Sequence, residues 1–240
     1  MRILASLLFL LTLSDSVVAE PVSVRSDFVG AEITRNAAIS SLKRLPEGVA
    51  IGIQAQTAVA GLKAEGETQI ADVDSGGKEY TRRFSDGTHR CIVKDRFIPS
   101  GTSIRWELEI LGEGEPWSAP IETRLAWPVT PETVFWTAWS DPLHEKGPWH
   151  DPLVFRPLDD LTFWYGAPPF DEKKPLTGYC PFEGDTFCMP LITIGEPARD
   201  EAISVVLSPE DDLLDLTLRV EKQGGIVFSR LNYRIAPDRT

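Results

Sequence analysis

Alternation of apolar and polar residues with a period of two is the feature that most constrains the fold of this chain. The segment "TSIRWELEI" carries apolar side chains at every second position: Ile104, Trp106, Leu108 and Ile110. This pattern is typical of an antiparallel strand with one face buried and the other in water. Further strands are predicted by "LLDLTLRVE", "GVAIGIQAQ", "RCIVKDRFI" and "AISVVLS".

Turn signals, together with the segments that lack strand alternation, complete the fold prediction. Turn signals such as "PEG", "SDG", "PSG" and "GEGEP" separate the strands, so the sequence predicts an all-β, antiparallel sandwich. In "IVFSRLNYRI" the same alternation predicts one shared face for Val227, Leu231, Tyr233 and Ile235. The segment "EITRNAAISSLKRL" is the one helix that the pattern supports, and "SPEDDLL" fits a single helical turn. Residues 139–190 lack alternation and are rich in proline, which predicts long ordered loops.

The first nineteen residues have the composition of a secretory leader. Arg2 precedes an apolar run from Ile3 to Leu13, and Val17 and Ala19 stand where signal peptidase requires small residues. We therefore predict a signal peptide over 1–19, one domain over 20–240, and a secreted or periplasmic protein. The apolar run is too short to cross a bilayer, and no span is expected elsewhere.

The net charge and the spacing of the cysteines limit which ligands and partners the chain is expected to bind. The formal net charge is -12, and because an acidic chain repels phosphates, nucleic acid is a poor partner.

Cys180 and Cys188 are close enough in sequence to close a small disulfide loop, or they are two buried thiols. Cys91 stands in the apolar phase of a strand and is expected in the core. No cysteine spacing fits a metal site, so no metal or cofactor is expected.

Aromatic residues are concentrated after residue 126. The segment 127–152 holds four of the seven tryptophans and two of the three histidines. Sugars stack on exposed rings while nearby carboxylates and imidazoles bind their hydroxyls. A carbohydrate-binding wall is therefore predicted from Trp139, Asp141, Trp149, His150, Asp151, Trp164 and Tyr165. Trp106 and Trp127 are instead expected in the core.

Two other interpretations of the same residues stay open. His144 and His150 could serve acid–base chemistry, and a pair of carboxylates could serve a glycosidase or a sugar epimerase. No nucleophile elbow, phosphate loop or paired zinc-binding histidine motif accompanies them, so catalytic residues stay unassigned. Alternatively, the rings form an interface with a protein partner, and the domain is structural.

Several segments taken together resemble a known family. They are "IRWELEILGEGEPWSAPIETRLAWP", "WTAWSDP", "HDPL", "FWYG", "FCMPLITIGEP", "ISVVLSPEDDLLDLTL" and "IVFSRLNYRI". Their order resembles the N-terminal β-supersandwich of secreted glycoside hydrolases of the six-hairpin type, which is similar to the galactose mutarotase-like fold. The resemblance extends over most of the chain from Ala50 to Ile235.

The resemblance implies a function as well as a fold. In such proteins a helical (α/α) toroid follows the sandwich and carries the catalytic carboxylates, whereas this chain has no toroid-length helical segment. The expectation is thus a carbohydrate-associated module, related to glycoside hydrolases and not catalytic alone, either truncated or free-standing. Its partners would be a polysaccharide or oligosaccharide, and a helical toroid domain encoded elsewhere.

Overall fold

Antiparallel strand pairing builds this protein. The computed structural model describes residues 20–130, 132–140, 153–155, 163–165, 187–208, 210, 216–221 and 225–237, so the predicted leader lies outside the described residues. The sixteen strands have the following bounds: β1 Val22–Arg25, β2 Val29–Ile33, β3 Ile39–Arg44, β4 Ile51–Val59, β5 Lys63–Val73, β6 Gly77–Ser85, β7 Arg90–Ser100, β8 Ser103–Gly112, β9 Trp117–Ala126, β10 Val134–Ser140, β11 Leu153–Phe155, β12 Phe163–Tyr165, β13 Phe187–Glu196, β14 Glu201–Val206, β15 Leu216–Glu221 and β16 Gly225–Ile235.

The strands form three sheets. An eight-stranded sheet, the large sheet, has the order β1-β2-β3-β4-β9-β16-β15-β12. The meander sheet consists of β5-β6-β7-β8, and the β13 sheet has the order β11-β10-β13-β14. Every strand pair in them is antiparallel. The all-β antiparallel prediction is therefore confirmed.

One core joins the three sheets. Ile33, Ile53 and Ile226 of the large sheet pack in the same buried cluster as Phe97 of the meander sheet and Ile192 of the β13 sheet. Both small sheets thus contribute to a core that lies against one face of the large sheet, its core face, and this packing is a sandwich. The opposite face of the large sheet, its outer face, carries the alternate residues of each strand.

The predicted helix at 32–45 is wrong, because β2 and β3 form a hairpin there. Its turn is closed by the Thr34 amide, which donates to the Ala38 carbonyl over 2.8 Å. Ala37 adopts a left-handed φ of 58° in that turn. Ile39 and Leu42 are buried in the shared core. Burial of these side chains against the sheet outweighs the local helical propensity of the alanines.

The single face predicted for the last strand is also wrong. Val227 and Leu231 do not share a face with Tyr233 and Ile235, because the register of β16 with β9 shifts between Arg230 and Tyr233. Before the shift the even-numbered residues Ile226 and Phe228 enter the core that the three sheets share. After it Ile235 enters a second buried cluster between the large sheet and the meander sheet. A bulge changes the phase of the alternation, and the sequence pattern gave no sign of it.

The range 139–190 contains more regular structure than predicted. It includes the last residues of β10, the short strands β11 and β12, and the beginning of β13. Three-residue runs such as "LVF" and "FWY" are too short to show alternation, so a sequence pattern does not distinguish them from loop. The other residues of this range lie outside the described part of the chain.

Candidate functional site

The outer face of the large sheet presents polar groups on rigid strands. In β4 the buried residues Ile51, Ile53 and Ala55 alternate with outward residues, which include Gln54 and Gln56. β9 places Glu122 and Arg124 on the same face, because Gln56 pairs with Arg124 in the β4–β9 register. An amide, a guanidinium and a carboxylate are thereby held side by side by strand geometry.

Gln56 is already oriented on this face. Its Nε2 atom donates to the Asn36 carbonyl over 2.7 Å, which leaves the amide oxygen as an acceptor. Further along the same face, Val227 and Ser229 of β16 are buried, with 0% and 5% of their surface exposed. The accessible part of the outer face is therefore formed mainly by β4 and β9, where Gln54 and Arg124 are exposed.

Backbone register connects this face with one of the predicted ring residues. Trp164 of β12 pairs with Arg219, Arg219 pairs with Val227, and Val227 pairs with Arg124. Trp164 therefore has a register position in the same cross-strand row as Arg124 and Gln56. Neighbouring strands lie about 4.8 Å apart, so about 14 Å separates the Trp164 and Arg124 strands.

The neighbouring row belongs to the core face. Tyr165 pairs with Leu218, Leu218 with Phe228, and Phe228 with Thr123. Phe228 is buried in the core cluster. The register positions of Trp164 and Tyr165 therefore fall on opposite faces of the large sheet.

Of the remaining predicted site residues, only Trp139 and Cys188 lie in the described part of the chain. Trp139 lies in β10, and its backbone pairs with that of Cys188 in β13, next to a register shift. The other predicted residues, Asp141, Trp149, His150, Asp151 and Cys180, lie outside the described residues. Trp139 and Trp164 thus belong to different sheets, the β13 sheet and the large sheet.

The first buried carboxylate belongs to a hydrogen-bonded network in the core. Asp95, with none of its surface exposed, accepts hydrogen bonds from Arg82 Nη2 at 2.7 Å and Nε at 3.0 Å. Its other oxygen accepts from Trp106 Nε1 at 3.1 Å. Arg82 also donates to the Thr57 carbonyl, at 3.2 and 3.3 Å. Burial raises the pKa of Asp95, and the guanidinium and the indole offset part of that rise.

The second buried carboxylate has the same kind of partner. Glu196 Oε1 accepts from Trp127 Nε1 and from Thr133 Oγ1, each at 2.8 Å, and 5% of the residue is exposed. Both buried carboxylates therefore fix an indole in the core and have no access to a substrate. Trp127 is buried and Trp106 packs against the core, so the core prediction for these two tryptophans is confirmed.

Cys91 is confirmed as a core residue, with 1% of its surface exposed. Burial, together with the nearby Glu113 carboxylate, raises the pKa of its thiol to about 11. The thiol is therefore protonated and shielded at neutral pH, which is the state of an unreactive cysteine.

One imidazole among the described residues has a defined environment. His89 Nδ1 lies 3.1 Å from Asp86 Oδ2, and the ring stacks on Trp117 with 4.7 Å between centroids. Asp86 Oδ1 also accepts from the amides of Thr88 and His89, at 2.8 and 2.7 Å. These bonds, those from His89 first, lower the pKa of Asp86 from 3.8 to about 2.

A pH titration should reveal the Asp86 turn. The pKa of Asp86 is lowered in the folded protein, so its ionised carboxylate stabilises the fold at pH values above the ordinary pKa of 3.8. This contribution is lost as the pH falls through about 2. Carboxyl-carbon NMR should give an Asp86 midpoint near 2. A midpoint for Asp86 near 4 would contradict the hydrogen-bonded turn.

Sequence reasoning missed the polar residues on and under the large sheet, although some left a signal. In "RCIVKDRFI", Asp95 occupies the apolar phase between Val93 and Phe97, and Arg82 stands likewise between Tyr80 and Phe84. A charged residue at a core position indicates a buried ion pair. Gln56 and Arg124 had no such signal, because polar residues on an outward strand face are ordinary.

The described residues contain no group of three or more His, Cys, Asp or Glu side chains arranged to hold a metal ion. Within the same part of the chain, no helix is long and apolar enough to cross a membrane. No protein-family model matches the sequence, and a search of curated proteins finds no match either.

Proposed function

We propose that this protein is a secreted, carbohydrate-associated β-sandwich module that binds a polysaccharide or oligosaccharide without catalysing its cleavage. The proposal includes a relationship to the N-terminal galactose mutarotase-like supersandwich of glycoside hydrolases. The antiparallel sandwich is compatible with that relationship, and sequence order alone supports its finer part.

The observation that carries the proposal is the register row of the large sheet. It aligns Trp164 with Arg124 and Gln56 on one face. A ring together with guanidinium and amide groups is the combination that sugar hydroxyls and C–H faces require. Val227 lies between the Trp164 and Arg124 strands and is buried, so the proposed ligand contacts the two ends of the row. These ends lie about 14 Å apart, which suits an extended oligosaccharide and not a single sugar ring.

Binding without catalysis is supported by the carboxylates. Among the described residues, the buried carboxylates Asp95 and Glu196 each accept a hydrogen bond from an indole N–H and are closed to solvent. Glu122 lies on the outer face beside Arg124 on the same strand, where it suits hydroxyl recognition. A glycosidase instead needs two carboxyl groups facing each other across the bond to be broken.

Calorimetry with a panel of neutral and acidic polysaccharides tests the proposal on the chain 20–240. We expect heat of binding with at least one of them. Arg124→Ala should weaken that binding about ten- to a hundredfold, since one lost hydrogen bond to a charged group is equivalent to about 1.5–3 kcal/mol. Trp164→Ala should also weaken it, because it removes the ring on which a sugar would stack. Absence of heat with every polysaccharide would exclude the proposed function.

The matched control is Arg105→Ala. Arg105 is an exposed arginine that pairs with Glu107 at 2.9 Å. It lies on the meander sheet and not on the large sheet. Binding should be unchanged in this variant. If Arg105→Ala and Arg124→Ala weakened binding equally, the effect would be one of overall charge and the outer face would not be the site.

A further inference from the structure

The edge strands of the sheets differ in how they are protected from pairing with other strands. β5, at one edge of the meander sheet, carries the charged residues Lys63, Glu65, Glu67 and Asp72. Its ladder with β6 is broken by a register shift between Glu65 and Gln69. Charges and bulges are the usual means by which proteins prevent association at an exposed edge.

β14 has one charged residue, Glu201 at its beginning, and no register shift. Among the described strands it ends the β13 sheet, and its pairing with β13 runs without a register shift from Leu191↔Val206 to Glu196↔Glu201. The seven residues 202–208, "AISVVLS", contain no charge and no proline. Val206 is 58% exposed. A regular edge of this kind, uncharged after its first residue, is a template for another strand.

We propose that β14 pairs with β14 of a second copy of this chain, antiparallel about a two-fold axis at Ser204. Ala202 then faces Val206 of the other copy, and Ile203 faces Val205. The two β13 sheets become one continuous sheet across the dimer. Such an interface is isologous, because the same patch serves both partners.

A second copy is the occupant that this edge fits, because in the proposed register apolar residues face apolar residues: Ala202 faces Val206, and Ile203 faces Val205. The chain has a net charge of -12, so two copies approach only where no like charges meet. In this pairing Glu201 faces Leu207, and Arg44 of β3 lies 3.6 Å from the Glu201 carboxylate within its own chain. The strand β5 offers no equivalent, because four of its eleven residues are charged.

Sedimentation analysis over a range of concentrations tests the pairing. The unaltered chain 20–240 should move from the monomer to twice that mass as its concentration rises. Val206→Lys should keep the monomer mass throughout, because it places an ammonium group opposite the apolar Ala202. The matched control is Ile70→Lys on β5, where a β-branched apolar residue is likewise exposed, at 40%; this variant should still dimerise.

Oxidative cross-linking tests the register. Ser204→Cys should give a disulfide-linked dimer through residue 204, because directly opposite residues across an antiparallel pair are about 4.5–5.5 Å apart. Ile70→Cys should not. A chain that stays monomeric at its highest soluble concentration, a dimer unaffected by Val206→Lys, or higher polymers in place of a dimer would each overturn the proposal.

Discussion

Replacing Asp95 with asparagine is expected to lower the free energy of unfolding by about 3–5 kcal/mol. The change keeps the shape of the side chain but leaves the Arg82 guanidinium, 4% exposed, without its counter-charge. A buried and unpaired charge is among the most costly defects in a core. Urea unfolding at neutral pH, followed by circular dichroism, measures the loss.

The double variant Arg82→Met/Asp95→Asn separates charge from packing. It removes the unpaired charge and keeps an acceptor for Trp106, so it should be more stable than Asp95→Asn alone. Glu107→Gln is the exposed comparison, because it breaks the Arg105–Glu107 pair on the surface and should change stability by less than about 1 kcal/mol. If the free-energy changes of the two single replacements summed to that of the double variant, Arg82 and Asp95 would not be coupled.

Glu196→Ala is expected to cost about 2–4 kcal/mol. The change removes the acceptor of two donors, Trp127 Nε1 and Thr133 Oγ1. The indole is buried and loses its hydrogen bond, whereas the Thr133 hydroxyl still lies 3.1 Å from Thr130 Oγ1. A cost near 4 kcal/mol is therefore expected only if the cavity left by the Glu196 side chain stays open.

Glu196→Gln is the matched control for this site. Its amide oxygen accepts from the same two donors, so most of the stability should return. Urea unfolding again gives the free energies, and the tryptophan emission of the folded state reports whether the indole environment has changed. Equal losses in the two variants would mean that the negative charge, and not the acceptor, is what the core requires.

Strand positions were predictable where one face of a strand is buried and the other is wet. β4 and β7 follow such alternation. β8 follows it except at Leu108, which the pattern assigns to the buried face but which is 40% exposed. Local patterns failed at 32–45, where burial of Ile39 and Leu42 overrides helix propensity, and in β16, where a bulge inverts the phase. Both failures come from tertiary contacts that a local pattern does not contain.

The candidate site was less predictable than the fold. Sequence proximity grouped Trp164 with Tyr165, whereas register assigns these neighbours to opposite faces of one sheet. Register likewise aligns Trp164 with Gln56, more than a hundred positions earlier in the chain. Such groupings depend on the order of strands in the large sheet, and that order follows from long-range pairing that no single segment encodes.

The order of strands also has a kinetic consequence. The meander sheet pairs only consecutive strands, so its hairpins close short loops and can form early. The middle of the large sheet pairs β9 with β4 and with β16, and each of these contacts must first close a long loop. β16, the last strand among the described residues, is inserted between β9 and β15, so a nascent chain keeps an unfinished large sheet until synthesis has passed Ile235.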